Sequence, residues 1–440
     1  MGVEVDRRIL ALALARMVSA LANSFLVVVL PLYIGEVVVL PGFVGTTVRA
    51  GGLEFTLQPE LLIGVVLSLF GFLNSFGQPF TGRWSDRVGK RKRFLLLGLG
   101  IVAVGSAGYI LFRSYVAVLA MRALQGIGAA FTIPMTVALV NEYSAPGERG
   151  SNFGLFNTFR LLGFGTGPLV AGSVVAVGPY RVAGATVSGF DAAFLVAVTG
   201  AVLSFLLIVL LISDPEEAKA AAGDDISIQV RNADGPGLDP VFALGLGTVV
   251  MALGIAIYAP LANVINSQLG QGNFLFSVQF GATVLANVLF QLPFGRLSDS
   301  YGRRPFLVGG FVLLLPTTVA QGFVPRVPAS LFGPAIGPPE LMILLRFLQG
   351  VAVAAVFAPS LALAGDLARD GESGSTLSLL TMGFGLGVAL GTLLSGILVG
   401  LGFAVPFVVA TIGGVGGLAL VVTQVTEPPV DPTPTPETGD

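Results

Sequence analysis

Four arginines lie inside otherwise apolar stretches of this chain: Arg16, Arg122, Arg160 and Arg346. A guanidinium is always charged and presents its N–H donors in a planar fork, which suits two-bond recognition of a carboxylate or phosphate. At mid-bilayer such a charge costs about 2.5–3.5 kcal/mol on insertion scales, so each must face water, a partner or a ligand. Counter-charges are scarce. None of the 25 acidic residues falls in the middle of an apolar run; Glu142, Asp191, Glu340 and Asp366 stand at run ends, and the rest lie in loops, linker or termini. Arg16 and Arg160 sit two to three turns from the same side of their runs and want an anion between them. Glu142, in a closing network with Glu148 and Arg149, is one candidate, and a substrate is the other. Asn23, Phe25, Tyr33, Gln78, Tyr258, Asn263 and Gln291 are uncharged candidates for a cavity wall, each with helix packing as its alternative role.

The residue types also exclude chemistry. The chain has no cysteine and no histidine, which removes disulfides, thiolates, the commonest metal ligand and the usual proton switch near neutral pH. No phosphate-binding loop, paired catalytic acids or nucleophile constellation stands out. The reading is therefore no enzyme, no metal and no cofactor. A net charge of −2 gives no case for nucleic acid. Lys90, Lys92 and Lys219 are the only lysines, and this arginine bias with an acidic balance fits a salt-adapted or high-GC prokaryote such as a halophilic archaeon.

Composition says what positions these residues. Apolar residues make up 54% of 440 and charged residues 11%, against about 25% charge in a soluble domain. Twelve membrane helices of about 20 residues would use that apolar content. Apolar runs fall at 9–34, 61–81, 94–113, 115–140, 151–178, 191–212, 241–267, 274–294, 305–324, 340–365, 375–400 and 402–425, and the break between the last two is the faintest. With the N-terminus inside, the inner segments hold fifteen Lys and Arg and the outer loops hold Arg49, Arg113, Arg181 and Arg326. That asymmetry places both termini in the cytoplasm of a multi-pass plasma-membrane protein. The expected divisions are a six-helix bundle over 1–212, an acidic linker over 213–240, a second bundle over 241–426 and a disordered Pro-rich tail over 427–440.

The two halves repeat. An offset of 224 takes Arg122 to Arg346, Gln125 to Gln349, Gly126 to Gly350, Glu142 to Asp366, Gly163 to Gly387, Gly167 to Gly391 and Gly172 to Gly396. Two turns repeat at an offset of 213: Gly82-Arg83-Trp84-Ser85-Asp86-Arg87-Val88-Gly89-Lys90-Arg91 and Gly295-Arg296-Leu297-Ser298-Asp299-Ser300-Tyr301-Gly302-Arg303-Arg304. Asp86 is read as lying near the start of a helix, where a carboxylate meets free N–H groups and the positive end of the dipole.

These turns resemble the loops between helices 2 and 3 and between helices 8 and 9 of the major facilitator superfamily. The resemblance implies an all-α fold of twelve transmembrane helices in two pseudo-symmetric six-helix bundles. It also implies that Asp86 meets the opposite half when the cytoplasmic side is closed, with Asp299 as its weaker echo. The spacing Gly154, Gly163, Gly167-Pro168 and Gly172 is similar to the helix 5 motif of the family's antiporters, with Ala171 in place of one glycine. Arg122-Ala-Leu-Gln-Gly resembles the helix 4 arginine motif of its proton-linked members, and Arg346-Phe-Leu-Gln-Gly echoes it.

The function this supports is secondary transport of a small solute by alternating access, foremost as an efflux-type antiporter. The coupling ion would be a proton or sodium and the protein a monomer in the bilayer. The embedded arginines and missing mid-span carboxylates open a second possibility, a transporter of organic anions, sugars or other metabolites. A non-transporting membrane sensor with this fold is the alternative of another class.

Overall fold

A computed structural model describes residues 6–50, 53–144, 149–182, 184–214, 229–232, 236–328, 331, 336–367, 373–425 and 427. Among them, twelve helices are long and apolar enough to cross a membrane. Backbone N–H and C=O groups in lipid must be satisfied within the segment, so long apolar runs become continuous helices. The first six are α1 (Arg7–Glu36), α2 (Pro59–Val88), α3 (Arg91–Leu111), α4 (Tyr115–Tyr143), α5 (Arg149–Val177) and α6 (Gly189–Leu211). The seventh span is broken: α7 (Pro240–Ala256) passes through a 3-10 turn (Ala259–Leu261) into the short α8 (Ala262–Leu269). Then follow α9 (Asn273–Tyr301), α10 (Arg303–Gln321), α11 (Pro338–Asp366), α12 (Ser373–Leu398) and α13 (Val405–Gln424). The faint break expected near 400 is real: a 3-10 turn at Val399–Leu401 ends at Gly402, whose φ is +138°. Two antiparallel hairpins stand in the loops, Thr47–Ala50 with Leu53–Thr56 and Tyr180–Val182 with Ala185–Val187. An even number of spans puts both chain ends on one face, here called the terminal face.

Packing follows the sequence repeat. In the first half α1 packs on α5 and α6, α2 on α4, and α3 on α4 and α6; in the second, α7 packs on α12 and α13, α9 on α11, and α10 on α11 and α13. Between the halves α2 meets α12 and α5 meets α9. Small residues make these approaches possible, because lipid tails give apolar helices no reason to associate except close packing. A methyl group at Gly163 would stand 2.0 Å from the Met17 carbonyl oxygen, and one at Gly387 would stand 2.2 Å from that of Val249. Gly167 approaches the Leu21 carbonyl as Gly391 approaches that of Leu253. Gly154 faces open space. Gly163→Ala is therefore expected to overpack the α1–α5 seam by about 1–3 kcal/mol, whereas Gly154→Ala is expected to be neutral. Thermal unfolding of the two detergent-purified variants measures the difference.

At the terminal face the placement of Asp86 is corrected. It lies in the last turn of α2, which runs to Val88, and not at a helix start; the dipole there disfavours a carboxylate. Its side chain lies outside the described residues. Helix α2 ends on Gly89, whose φ of +67° gives the left-handed cap that glycine adopts without cost. The carboxylate at the start of α3 comes from elsewhere: Asp214 Oδ1 accepts from the Lys92 backbone N–H at 2.7 Å. Glu427 does the same for α10, accepting from Arg303 N–H at 2.6 Å. Glu427, assigned from sequence to the tail, is thus tied to the second bundle. Asp214 and Glu427 are themselves 213 residues apart.

Candidate functional site

Two buried arginine clamps occupy equivalent places in the halves. Arg122, 2% exposed, donates to Gln125 Oε1 at 3.1 Å and lies 4.3 Å over the Phe70 ring. Gln125 also accepts from the Tyr109 hydroxyl at 3.0 Å and donates to Ser106 Oγ at 3.0 Å. Arg346, 1% exposed, donates to Gln349 and lies 4.1 Å over the Tyr258 ring. Gln349 in turn donates to Thr318 Oγ1 at 2.9 Å and to the Gly254 carbonyl at 3.2 Å. No carboxylate meets either arginine among the described residues. Arg122 Nε, Arg346 Nε and Arg346 Nη2 are buried without a hydrogen-bond partner there.

Arg16 on α1 and Arg160 on α5 are only half-buried. Arg160 Nε donates to Asn157 Oδ1 at 2.9 Å. The anion expected between the two arginines is not Glu142. That carboxylate accepts from Arg91 Nε at 2.7 Å and binds α4 to the start of α3. The second half repeats the arrangement with Arg303 Nη1 at 2.6 Å from Asp366, while Arg303 Nη2 reaches Asp299 at 3.2 Å. Glu148 and the Arg149 side chain, the rest of the proposed closing network, lie outside the described residues.

The halves are sealed on the face away from the termini. Positions for a Cβ on Gly64 and Gly396 fall 2.4 Å from the Thr392 carbonyl and 2.3 Å from the Glu60 carbonyl, along α2 and α12. Gly71 abuts Ala389, and Gly385 abuts Ser75. On the other seam Gly172 abuts Ser277, and Gly281 abuts Leu169 and Pro168. Asn263, expected on a cavity wall, instead donates to the Pro31 carbonyl at 3.1 Å and clasps α8 to α1; Asn273 donates to Glu36 at 3.0 Å beside it. Nearer the terminal face, Gly82, Gly154 and Gly295 have open space around them.

The remaining wall candidates divide. Tyr258 is fully buried and hydrogen-bonded to Gln279, so it serves the Arg346 clamp. Phe25 and Tyr33 are core residues, and Asn23 is half-buried on α1. Gln78 donates to Asn74 at 3.2 Å. This pair lies between the α2 stripe that meets α12 (Gly71, Ser75) and the one that meets α4 (Gly77, Thr81). Asn287 and Gln291 repeat it on α9, between the stripe that meets α5 (Gly281, Val284) and the one that meets α11 (Thr283, Ala286). The oxygens of both amides are buried without a partner among the described residues. Asn74 and Asn287 are absent from the sequence reading, although the 213-residue offset of the turns relates both pairs.

Residues 12–232 and 244–439 match the Major Facilitator Superfamily. The chain belongs to that superfamily. It is a multi-pass membrane protein, and its family and fold are not those of enzymes. "Multidrug resistance protein 2" of Bacillus subtilis (strain 168) is 25% identical over 276 residues, 60% of this chain and 65% of the relative. "Inner membrane transport protein YajR" of Escherichia coli (strain K12) is 30% identical over 182 residues, 40% of this chain and 37% of the relative. Each match spans less than two thirds of the relative's length. Among solved structures, a bacterial homologue of the human lysosomal transporter Spinster in an inward-facing and occupied conformation superposes with a TM-score of 0.69 at 14% identity, covering 94% of each chain. The human organic anion transporter MFSD10 superposes at 0.62 with 20% identity, covering 94% of this chain and 99% of that one. At these identities the structures establish the fold alone.

Proposed function

We propose that this transporter exports a small organic solute across the cytoplasmic membrane in antiport with a proton or sodium ion, working as a monomer with its termini in the cytoplasm. One observation carries the reading: the seams α2–α12 and α5–α9 are closed by interlocked glycines on the face away from the termini, while Gly82 of α2, Gly154 of α5 and Gly295 of α9, nearer the terminal face, stand in open space. With fifteen of the loop cations on the terminal face, this is an inward-facing state, from which an exporter loads. Of the α5 motif glycines, Gly163 and Gly167 pack on α1 within the first half, and Gly172 alone among them meets α9 across the seam. Relatives named for multidrug resistance and quinolone resistance accord with export.

The test is accumulation of ethidium and of salicylate in inverted membrane vesicles containing the protein. Several-fold uptake over empty vesicles is expected, collapsing with a protonophore if protons couple and with a sodium ionophore if sodium does. Uptake confined to right-side-out vesicles would reverse the direction, and no uptake of either probe in any orientation would favour a sensor.

A further inference from the structure

We infer that Gln279 is a positioning residue for transport: it heads a one-way chain of carboxamides that ties the Arg346 clamp of the second half to Glu36 of the first. The Tyr258 hydroxyl, on the ring that Arg346 covers, donates to Gln279 Oε1 at 2.5 Å. Gln279 Nε2 donates to Gln271 Oε1 at 2.7 Å, and Gln271 Nε2 donates to Asn266 Oδ1 at 3.1 Å. Asn266 Nδ2 then donates to Asn273 Oδ1 at 2.8 Å, and Asn273 Nδ2 to Glu36 Oε1 at 3.0 Å. These five bonds all run from the arginine toward the carboxylate. Gln271 Nε2 adds one return bond, to Gln279 Oε1 at 2.9 Å. The bond to Glu36 crosses between the halves, on the face away from the termini.

Chemistry fixes the direction of the chain at both ends. A carboxylate only accepts, so Asn273 turns its NH2 to Glu36 and its oxygen to Asn266. At the other end Gln279 Nε2 also donates to the Pro339 carbonyl at 3.2 Å, which leaves the amide oxygen for Tyr258 and Gln271. Every donor and acceptor of the buried Gln279 amide is thereby used. Aligned bonds polarise one another, and a buried network with all members satisfied holds a single arrangement. The packing by itself needs no amide here. The 213-residue offset sets Val66 of the first half against Gln279, and Val66 is fully buried in the apolar core. The second half alone therefore wires its arginine to the seal. Parting the halves breaks Asn273 from Glu36, frees the amides behind it and loosens the ring under Arg346, so seal and clamp let go together.

The test is the rate at which a maleimide labels Ser75→Cys, in the α2–α12 seam, in the full chain held in nanodiscs. That residue is then the only cysteine present. Gln279→Leu and Asn273→Leu are each expected to raise the rate several-fold, because either cut weakens the seal. The double variant is expected to label no faster than Asn273→Leu alone, since both changes act through the one bond to Glu36. Asn263→Ala is the control. Its bond to the Pro31 carbonyl crosses the halves outside the chain, so its effect should multiply with that of Gln279→Leu. A packing role for Gln279 would lower the melting temperature and would not saturate with Asn273→Leu. Should Gln279→Leu melt far below wild type, Gln271→Leu takes its place in the cycle, cutting the chain at a half-buried link. Unchanged or slowed labelling in that variant, or single effects that multiply in the double variant, would overturn the inference. Saturation with Asn263→Ala as well would also overturn it, marking a seam that loosens without a chain. The inference goes beyond the export reading and needs only that the halves part on this face. No gradient or solute enters the measurement, so its failure leaves export standing, and vesicles that fail to export leave the labelling pattern intact.

Discussion

Oxidation of a Ser75→Cys/Gly385→Cys variant is expected to stop transport, by at least tenfold, and reduction is expected to restore it. A Cβ at Gly385 would stand 3.4 Å from the Ser75 Cβ, close to the separation of about 3.5–4.5 Å that a disulfide spans. Among the described residues neither position carries a cross-helix hydrogen bond that the change would sever, and Ser75 Oγ is buried without a partner. The chain has no native cysteine, so the bridge forms in an otherwise unreactive background. Alternating access requires α2 and α12 to part on the face away from the termini, and the bridge forbids that without touching the arginines. The readout is substrate flux in proteoliposomes before and after oxidation, with each single cysteine variant as the control. Undiminished flux in a fully bridged sample would show that this seam does not open in the cycle.

Much of this architecture is legible in the sequence because lipid leaves few options for an apolar run of span length. The repeat was visible in the same way: Gly163 and Gly387 fall at one offset, and both press on the carbonyl of a neighbouring first-of-half helix. What the one-dimensional reading misplaced concerns helix ends. The sequence places Asp86 near a helix start, but α2 runs on through Asp86 to Val88, because polar and charged residues emerging at the membrane face can extend a helix beyond its apolar run. The capping carboxylates Asp214 and Glu427 sit 122 and 124 residues from the N–H groups they satisfy, and only their shared 213-residue offset hints at them.

The candidate site was legible by type and not by partner. Four arginines in apolar runs announce themselves by cost alone, yet the chain order says nothing of which are sealed. Arg122 and Arg346 are enclosed within their own halves on aromatic rings, while Arg16 and Arg160 stay half-buried on α1 and α5. Glu142 was a reasonable counter-ion for that second pair by depth; Arg91, at the start of the adjoining α3, reaches it first. Asn263 looked like a cavity residue because it is polar within a span. The break of the seventh span at Ala259–Leu261 turns α8 toward the opposite face and makes Asn263 a clasp.

Arg346→Leu is expected to lower turnover at least tenfold while leaving the melting temperature within a few degrees of wild type or above it. In the sealed state Arg346 is a fully buried cation with Nε and Nη2 unpaired, a placement that costs several kcal/mol before its ring and Gln349 contacts offset part of it. Replacing such a charge with an apolar side chain of similar volume is often neutral or stabilising, although Gln349 would lose an acceptor contact worth about 1–3 kcal/mol. The charge matters for the other state. Tyr258 lies over Arg346 and leads into the 3-10 turn Ala259–Leu261, which packs on α1, α2 and α12. Parting the halves on that face withdraws α1 and α2 from the turn and lets water reach the guanidinium. Hydration of Arg346 thus favours the outward-open state, and a difference of about 1.4 kcal/mol changes its population tenfold. Leucine removes that bias and leaves the sealed state over-populated. Labelling of a cysteine introduced at Ser75, buried in the same seam with its Oγ unpartnered, reports the opening directly: it should slow in Arg346→Leu and recover partly in Arg346→Lys, which keeps the charge. Wild-type labelling and turnover in the leucine variant would make Arg346 a packing residue, and a collapse of the fold would make it an anchor.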